Sequence, residues 1–338
     1  MRSAYGFLAH NYEPGDEIFF FGYSRGAYTA RAIAGLVTKH GLLTKMGMDS
    51  FADVYKLYYT DGGKNTQEAK VMDDLAAQHL LDRGAANAVK VIGVWETVGY
   101  HKPWIARLLG IEGEYFEFHN EELSDRVAYG FHALALDERR KTFKPTLWKM
   151  PVRTFGGAHS SQNEGLREMT QVWFTGEHGD VGGGRDDHHL SDITLAWMIA
   201  QCSKHNQLQF QDEYLLGNSP PPQLETFIPW DTCKGKSKQK LSLGYWLWSI
   251  IPFFNYNRRP LQEHNTNEVI HCSIADRKFG ANDGAKSAFS YPCKPLTGKE
   301  SSDGWQLTWA KGKSLAQVGA DTVEMQLRGR IRSARNNL

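Results

Sequence analysis

The sequence has few of the features that mark secreted, membrane-spanning or nucleic-acid-binding proteins. Lysine plus arginine (39) nearly equals aspartate plus glutamate (38), so the net charge of the chain does not indicate a nucleic acid partner. Only four cysteines occur in 338 residues and none forms a CxxC pair, which excludes a short disulfide framework and indicates reduced thiols. They are Cys202, Cys233, Cys272 and Cys293.

Long apolar runs are also lacking. The N-terminus reaches Pro14 without the apolar core of a signal peptide. The most apolar run, Leu243–Phe254, has 12 residues, whereas a spanning helix needs about 20. We therefore expect a cytoplasmic protein without a transmembrane segment. The aromatic run itself is interpreted as core, with a lid or a lip in transient contact with a membrane surface as the alternative.

A helix-borne metal motif such as HExxH is absent, and we expect neither metal nor cofactor. One segment does have metal-site composition, so a metal-dependent hydrolase is kept as an alternative. Its members are His178, Asp180, Asp186, Asp187, His188, His189 and Asp192. His188 and His189 are interpreted as solvated loop residues. The triple glycine 182–184 predicts a loop whose backbone passes close to another element.

Apolar β-rich runs that end in small or polar residues alternate with helical patterns. This alternation predicts an α/β fold with a doubly wound, mostly parallel sheet. The predicted strands are 17–21, 89–95, 170–174 and, from thinner evidence, 268–270. The predicted helices are 27–38, 51–59, 123–140 and 191–201. We expect a catalytic core at 1–204 and a loop-rich part of the same domain at 205–338, with a lid or cap role as one interpretation.

The strongest chemical signal is Gly22-Tyr23-Ser24-Arg25-Gly26, which fits GxSxG between a predicted strand and a predicted helix. That context predicts a sharp turn that exposes Ser24 as a nucleophile. The helix N-terminus adds partial positive charge, and the Arg25 backbone N–H is the predicted oxyanion donor. The alternative is an ordinary glycine-rich turn with a solvent-facing serine.

A serine nucleophile needs a histidine base and an orienting carboxylate, which follow in the chain order serine, acid, histidine. Two assignments satisfy that order. The preferred one takes Asp180 with His271, and the second takes Glu96 with His178. We expect the chosen groups to meet Ser24 at one edge of the sheet.

The segment Ala133–Arg140 is interpreted as structural. Its apolar residues are predicted to be the core side of a helix, and its charged residues are predicted to pair locally or to cap the helix end. A role in substrate orientation is the weaker alternative.

Several of these stretches together resemble an uncharacterised α/β-hydrolase domain family shared by type VI secretion phospholipase effectors and many fungal proteins. The resemblance runs in order from residue 14 to residue 273. The stretches are 14–18, 22–31, 93–99, 132–140, 172–174, 178–184, 190–192 and, more weakly, 270–273. It implies Ser24 as nucleophile, Asp180 as acid and phospholipid esters as substrate class, with His271 as the weakest correspondence.

The sequence departs from the family in two respects. Glu96 stands where the family usually has aspartate. The family's chains also begin earlier, with a strand and an Asp-Gly-Thr type motif, so we expect this sheet to lack those strands and to leave the serine strand at an exposed edge. An oxyanion hole short of one donor loses about 3 kcal/mol.

The sequence therefore predicts a cofactor-free serine esterase or phospholipase-like hydrolase. An impaired relative that acts as a binding module is the first alternative, and a metal-dependent hydrolase is the second.

Overall fold

The computed structural model of the chain describes residues 1–60, 66–99, 121–151, 165–185, 188–210, 257–274, 296–301, 304–307, 314–320 and 324. The chain divides into two compact units. Unit 1 comprises 1–130 and 145–169, and unit 2 comprises 131–144 and 170–338. The predicted boundary at residue 204 stays a prediction.

Unit 1 alternates helices and strands along the first part of the chain. Its elements are α1 (Arg2–Asn11), β1 (Ile18–Tyr23), α2 (Arg25–His40), β2 (Leu42–Leu43), a 3₁₀ turn (Met46–Ser50), α3 (Phe51–Thr60), α4 (Thr66–Ala77), β3 (Leu81–Asp82), a second 3₁₀ turn (Gly84–Asn87) and β4 (Val89–Trp95). Strands β1 and β4 pair in parallel, whereas β2 and β3 form a small antiparallel sheet.

Two further strands run from unit 1 into unit 2, and the remaining elements lie in unit 2. They are β5 (Tyr129–Ala135), a 3₁₀ turn (Lys141–Phe143), β6 (Glu168–Phe174), α5 (His178–Gly182), α6 (His189–Lys204), β7 (Glu268–His271), β8 (Leu296–Ser301), β9 (Gly304–Leu307), β10 (Ser314–Leu315) and β11 (Gln317–Val318). Strands β8, β9 and β10 make a separate antiparallel sheet.

The main sheet has the strand order β1-β4-β5-β6-β7-β11. The β1–β4, β6–β7 and β7–β11 pairs are parallel, so the sheet is mostly parallel with flanking helices, as predicted. Among the described residues, strand β1 is the terminal strand of this sheet. Phe21 on this strand is 43% exposed.

The core of unit 1 explains why its elements form. Helix α2 buries Ala27, Ile33 and Val37 in one cluster with residues of β1 and β4. Lys39 and His40 in its last turn interact favourably with the helix dipole. The side chains of β4 are buried on both faces, as expected of a strand inside a parallel sheet.

The predicted helix over 123–140 is wrong, and with it the helical interpretation of Ala133–Arg140. Every residue of β5 in this segment is buried. A strand buried on both faces gives a continuous apolar run, which periodicity cannot distinguish from a buried helix. The other three predicted helices and all four predicted strands are confirmed within a few residues, with α6 extending over His189–Lys204.

Several predictions concern residues outside the described part of the chain, including the aromatic run Leu243–Phe254, Cys233 and Cys293. Of the described cysteines, Cys202 is a buried free thiol and Cys272 a half-buried one. Within the described ranges, no helix is long and apolar enough to cross a membrane.

Candidate active site

Ser24 joins β1 to α2 in a backbone conformation that L-amino acids rarely adopt. Its φ is 56° and its ψ is −119°, and a non-glycine residue held at positive φ costs about 1–3 kcal/mol. Its N–H donates to the Trp95 carbonyl at 2.9 Å, which continues the β1–β4 ladder by one residue. The Ser24 side chain is half-buried and does not cap the helix. Strain of this kind is typical of functional turns between a strand and a helix.

The two glycines of the motif, Gly22 and Gly26, have different structural roles. A Cβ on Gly22 would lie 2.6 Å from the Gly26 oxygen and 2.8 Å from the Ala27 Cα, so only glycine fits there. A Cβ on Gly26 would meet nothing within 4 Å. Gly22 therefore allows the helix to approach the strand, whereas Gly26 is not required for space.

Arg25 begins α2, so its amide is among the N-terminal N–H groups that have no acceptor inside the helix. No acidic residue occupies the first turn. Its role as an oxyanion donor stays a prediction.

Glu96 follows β4 directly, next to Ser24 in the sheet register, because Tyr23 pairs with Trp95. Glu96 also has a positive φ, of 48°, and its side chain is fully buried. Unit 1 thus places a strained serine and a strained glutamate at the carboxyl ends of two paired parallel strands.

Asp180, the acid of the preferred assignment, has two structural contacts within unit 2. Its Oδ2 accepts from the Glu177 N–H at 2.8 Å in the capping box of α5, and its Oδ1 lies 2.9 Å from Arg185 Nη1. Arg185 also reaches Glu177 at 3.2 Å. Burial, aided by the Glu138 and Asp180 charges, raises the pKa of Glu177 despite Arg185.

His271 is fully buried at the end of β7, and both ring nitrogens are engaged. Nδ1 lies 2.9 Å from Ser273 Oγ, and Nε2 lies 2.9 Å from Glu324 Oε1. Burial alone would lower the pKa of His271, but contacts with Cys272 and Glu324 outweigh it and raise this pKa to about 9. The carboxylate beside His271 is therefore Glu324, which the sequence analysis did not single out.

His178 is the first residue of α5 and is buried, with a relative exposure of 5%. Its N–H donates to Glu138 Oε2 at 3.2 Å, and its ring meets the Phe143 ring edge-on, with centroids 4.7 Å apart. Glu138 is fully buried and holds Arg140 through Nε–Oε1 and Nη2–Oε2 distances of 2.8 and 2.7 Å. The prediction that the charged residues of this segment pair locally is confirmed for Glu138 and Arg140.

The close approach predicted for the glycine run is not seen at Gly183 and Gly184, and it stays a prediction for Gly182, the last residue of α5. Gly183 and Gly184 have φ values of 86° and 87°, and among the described residues a Cβ on either would meet nothing closer than 3.9 Å. Glycine is needed there for the left-handed backbone and not for a close approach. His188, predicted to be a solvated loop residue, is half-buried and its Nδ1 lies 2.6 Å from Asp192 Oδ2.

Within the part of the chain that the structure describes, no group of three or more histidine, cysteine or acidic side chains is arranged to hold a metal ion. Asp186 and Asp187 of the segment with metal-site composition lie outside that part.

The mostly parallel α/β sheet and the strand, strained serine and helix at its edge define an α/β-hydrolase-like fold. The chain belongs to the family of type VI secretion phospholipase effector Tle1-like catalytic domains, whose model matches residues 1–201, more than half of the chain. This confirms the resemblance seen in the sequence. At the level of the family, the domain is a phospholipase-like hydrolase.

A relative is found among fungal proteins, as the resemblance implied. The chain is 32% identical over 148 residues to the uncharacterized protein YEL023C of Saccharomyces cerevisiae. The match covers 42% of this chain and 20% of the yeast protein. No solved structure matches the chain.

Proposed function

We propose that this domain hydrolyses carboxylic esters, and phospholipid esters in particular, with Ser24 as the nucleophile. The observation that carries the proposal is the backbone of Ser24. A φ of 56° is a strained conformation for serine, and strain of this kind at a strand-to-helix turn is typical of a nucleophile.

The proposed reaction has two steps. Ser24 Oγ attacks the ester carbonyl carbon while a histidine takes its proton, and that histidine then protonates the alcohol as the carbon–oxygen bond breaks. Water hydrolyses the acyl-enzyme in the second step and regenerates the serine. The Arg25 N–H is proposed to donate to the oxyanion.

Two pairs are candidates for the acid and the base. The resemblance to the family implies Asp180 as the acid with His271, which lies 2.9 Å from Glu324 and has a pKa raised to about 9. The alternative pair is Glu96, the neighbour of Ser24 in the β1–β4 register, with His178.

Labelling with a fluorophosphonate probe tests the nucleophile, because the probe reacts covalently only with an activated serine. The wild-type chain should be labelled, Ser24→Ala should not, and Ser203→Ala, a half-buried helical serine in α6, should behave as wild type. Labelling that persists in Ser24→Ala would reject the proposal.

A second experiment separates the two acid–base assignments. Loss of the orienting charge leaves the imidazole in the wrong tautomer and costs about 10⁴-fold in kcat. A larger loss of ester hydrolysis in Asp180→Asn than in Glu96→Gln would assign the roles to Asp180 and His271. The reverse ranking would assign them to Glu96 and His178.

The substrate class is tested with vesicles of phosphatidylcholine or phosphatidylglycerol. Release of fatty acid that depends on Ser24 would support a phospholipase acting on the acyl ester. Hydrolysis of short soluble esters alone would restrict the function to an esterase.

A further inference from the structure

We infer that Arg185 is a positioning residue that fixes the orientation of the Asp180 carboxylate through a direct ion pair. The inference rests on the proposed function, and within it on Asp180 as the acid that partners His271. It assigns a role to an arginine that the sequence analysis did not single out, and to the glycines on either side of Asp180.

Both oxygens of the Asp180 side chain are held within unit 2. Arg185 Nη1 lies 2.9 Å from Oδ1, and Oδ2 accepts the Glu177 backbone N–H at 2.8 Å. The last torsion of an aspartate side chain is broad, so a cation on one oxygen and an amide on the other select one orientation of the carboxylate. A carboxylate has about four acceptor positions, and these contacts use two of them, so the group can still accept from an imidazole.

The guanidinium of Arg185 also separates two carboxylates. Its Nη2 lies 3.2 Å from Glu177 Oε2 while Nη1 contacts Asp180, so the planar fork spans both acidic side chains. Burial and the charges of Glu138 and Asp180 raise the pKa of Glu177, and Arg185 opposes that rise. Two carboxylates that share a site repel each other. Arg185 therefore holds Asp180 beside a second carboxylate that would otherwise displace it.

Glycines allow Arg185 to return to the helix that carries Asp180. Gly183 and Gly184, with φ values of 86° and 87°, turn the chain after α5 through a backbone conformation that side chains disfavour. A Cβ on Gly179 would lie 2.9 Å from Arg185 Nε and 3.6 Å from Nη2. Glycine thus stands both where the chain turns back and where the guanidinium crosses α5.

Arg185→Gln removes the cation and keeps a polar side chain. A misplacement of about 1 Å in a reacting group costs on the order of 10²-fold in rate, so we expect kcat for ester hydrolysis to fall about 10²-fold with KM changed less than about threefold. Arg185→Lys keeps the charge without the planar fork and should recover about tenfold of that loss. Arg83→Gln, which breaks an exposed ion pair with Asp73 in unit 1, is the matched control.

Two double-mutant cycles on kcat test whether Arg185 acts through Asp180. Arg185→Gln should have little further effect in Asp180→Asn, because the carboxylate that it orients is then already neutral. Gly179→Ala should displace the guanidinium and lower kcat in the wild type, but should have no effect in Arg185→Gln. Additive effects in either cycle, or a loss that appears in KM and not in kcat, would overturn the inference.

Failure of the proposed function has a different signature. In that case Asp180→Asn would itself keep the wild-type rate, or Ser24→Ala would keep its labelling, whatever Arg185 does. A slow Asp180→Asn together with an unimpaired Arg185→Gln would refute the role of Arg185 alone. Thermal unfolding of every variant distinguishes loss of the fold from loss of positioning. If Arg185→Gln does not fold, Gly179→Ala, which keeps the arginine, decides the question, and a wild-type kcat in that variant would refute the inference.

Discussion

The geometry of the turn at Ser24 predicts different effects on stability for alanine substitutions at Gly22 and at Gly26. Gly22→Ala adds a methyl group that would lie 2.6 Å from the Gly26 oxygen and 2.7 Å from the Gly26 carbonyl carbon. Both are backbone atoms, so no side chain can move aside. Gly26→Ala adds the same methyl group to open space.

The expected magnitudes follow from these distances. Relief of the Gly22→Ala clash requires β1 and α2 to move apart by a few tenths of an ångström or more, and overpacking of this kind costs about 1–3 kcal/mol. Gly26→Ala replaces a helical glycine by the best helix former, which stabilises by up to about 1 kcal/mol. The two variants should thus differ in the free energy of unfolding by about 1–4 kcal/mol.

Urea unfolding measures the stability difference, and the fluorophosphonate labelling rate reports whether Ser24 keeps its exposure. Gly22→Ala should lose both stability and labelling, whereas Gly26→Ala should keep both. Equal destabilisation by the two substitutions would show that the motif requires both glycines, and would refute the argument from close approach.

Two further predictions concern pH. Glu138 has a pKa lowered to about 2, so the stability it contributes is complete above about pH 4.5 and is lost as the pH falls toward 2. The urea midpoint should therefore decline less steeply across this pH range in Arg140→Gln than in the wild type. An unchanged slope would contradict the pairing of Glu138 with Arg140. His271 has a pKa raised to about 9, so its stabilisation is complete below about pH 6.5 and is lost as the pH rises through 9. Glu324→Gln should reduce this alkaline decline, because Cys272 also raises the pKa of His271, and an undiminished decline would show that Glu324 does not contribute.

Much of the fold could be predicted because its strands and helices differ in local pattern. The segment 89–95 is an apolar run, interrupted by Lys90 and Gly93 and followed by polar residues, and it forms β4 with the predicted bounds. The helix predicted over 123–140 is wrong because β5, like β4, is a largely apolar segment, and its pattern does not distinguish a buried strand from a buried helix. β5 contains His132 and Gly130 among apolar residues, and both are buried within the strand, so neither marks a solvent face.

The site was harder to predict because its contacts join residues far apart in the chain. The glutamate that binds His271 lies 53 residues later, at Glu324, in a stretch without a motif. Asp180 had the expected position after a strand, but the structural demand of a helix start also favours an aspartate there. Residue type and spacing alone could not distinguish these roles.

Ser24 and Glu96 show what the structure adds to the motif. Local rules would place glycine or asparagine at positive φ, and here the sequence has serine and glutamate at the ends of two paired strands. Each position carries a backbone strain of about 1–3 kcal/mol that glycine would not have. Positions where the chain breaks its own local preferences are expected at functional sites. His79 and Leu261 also have positive φ, but Ser24 and Glu96 are neighbours in the β1–β4 register, which favours a shared role for these two residues.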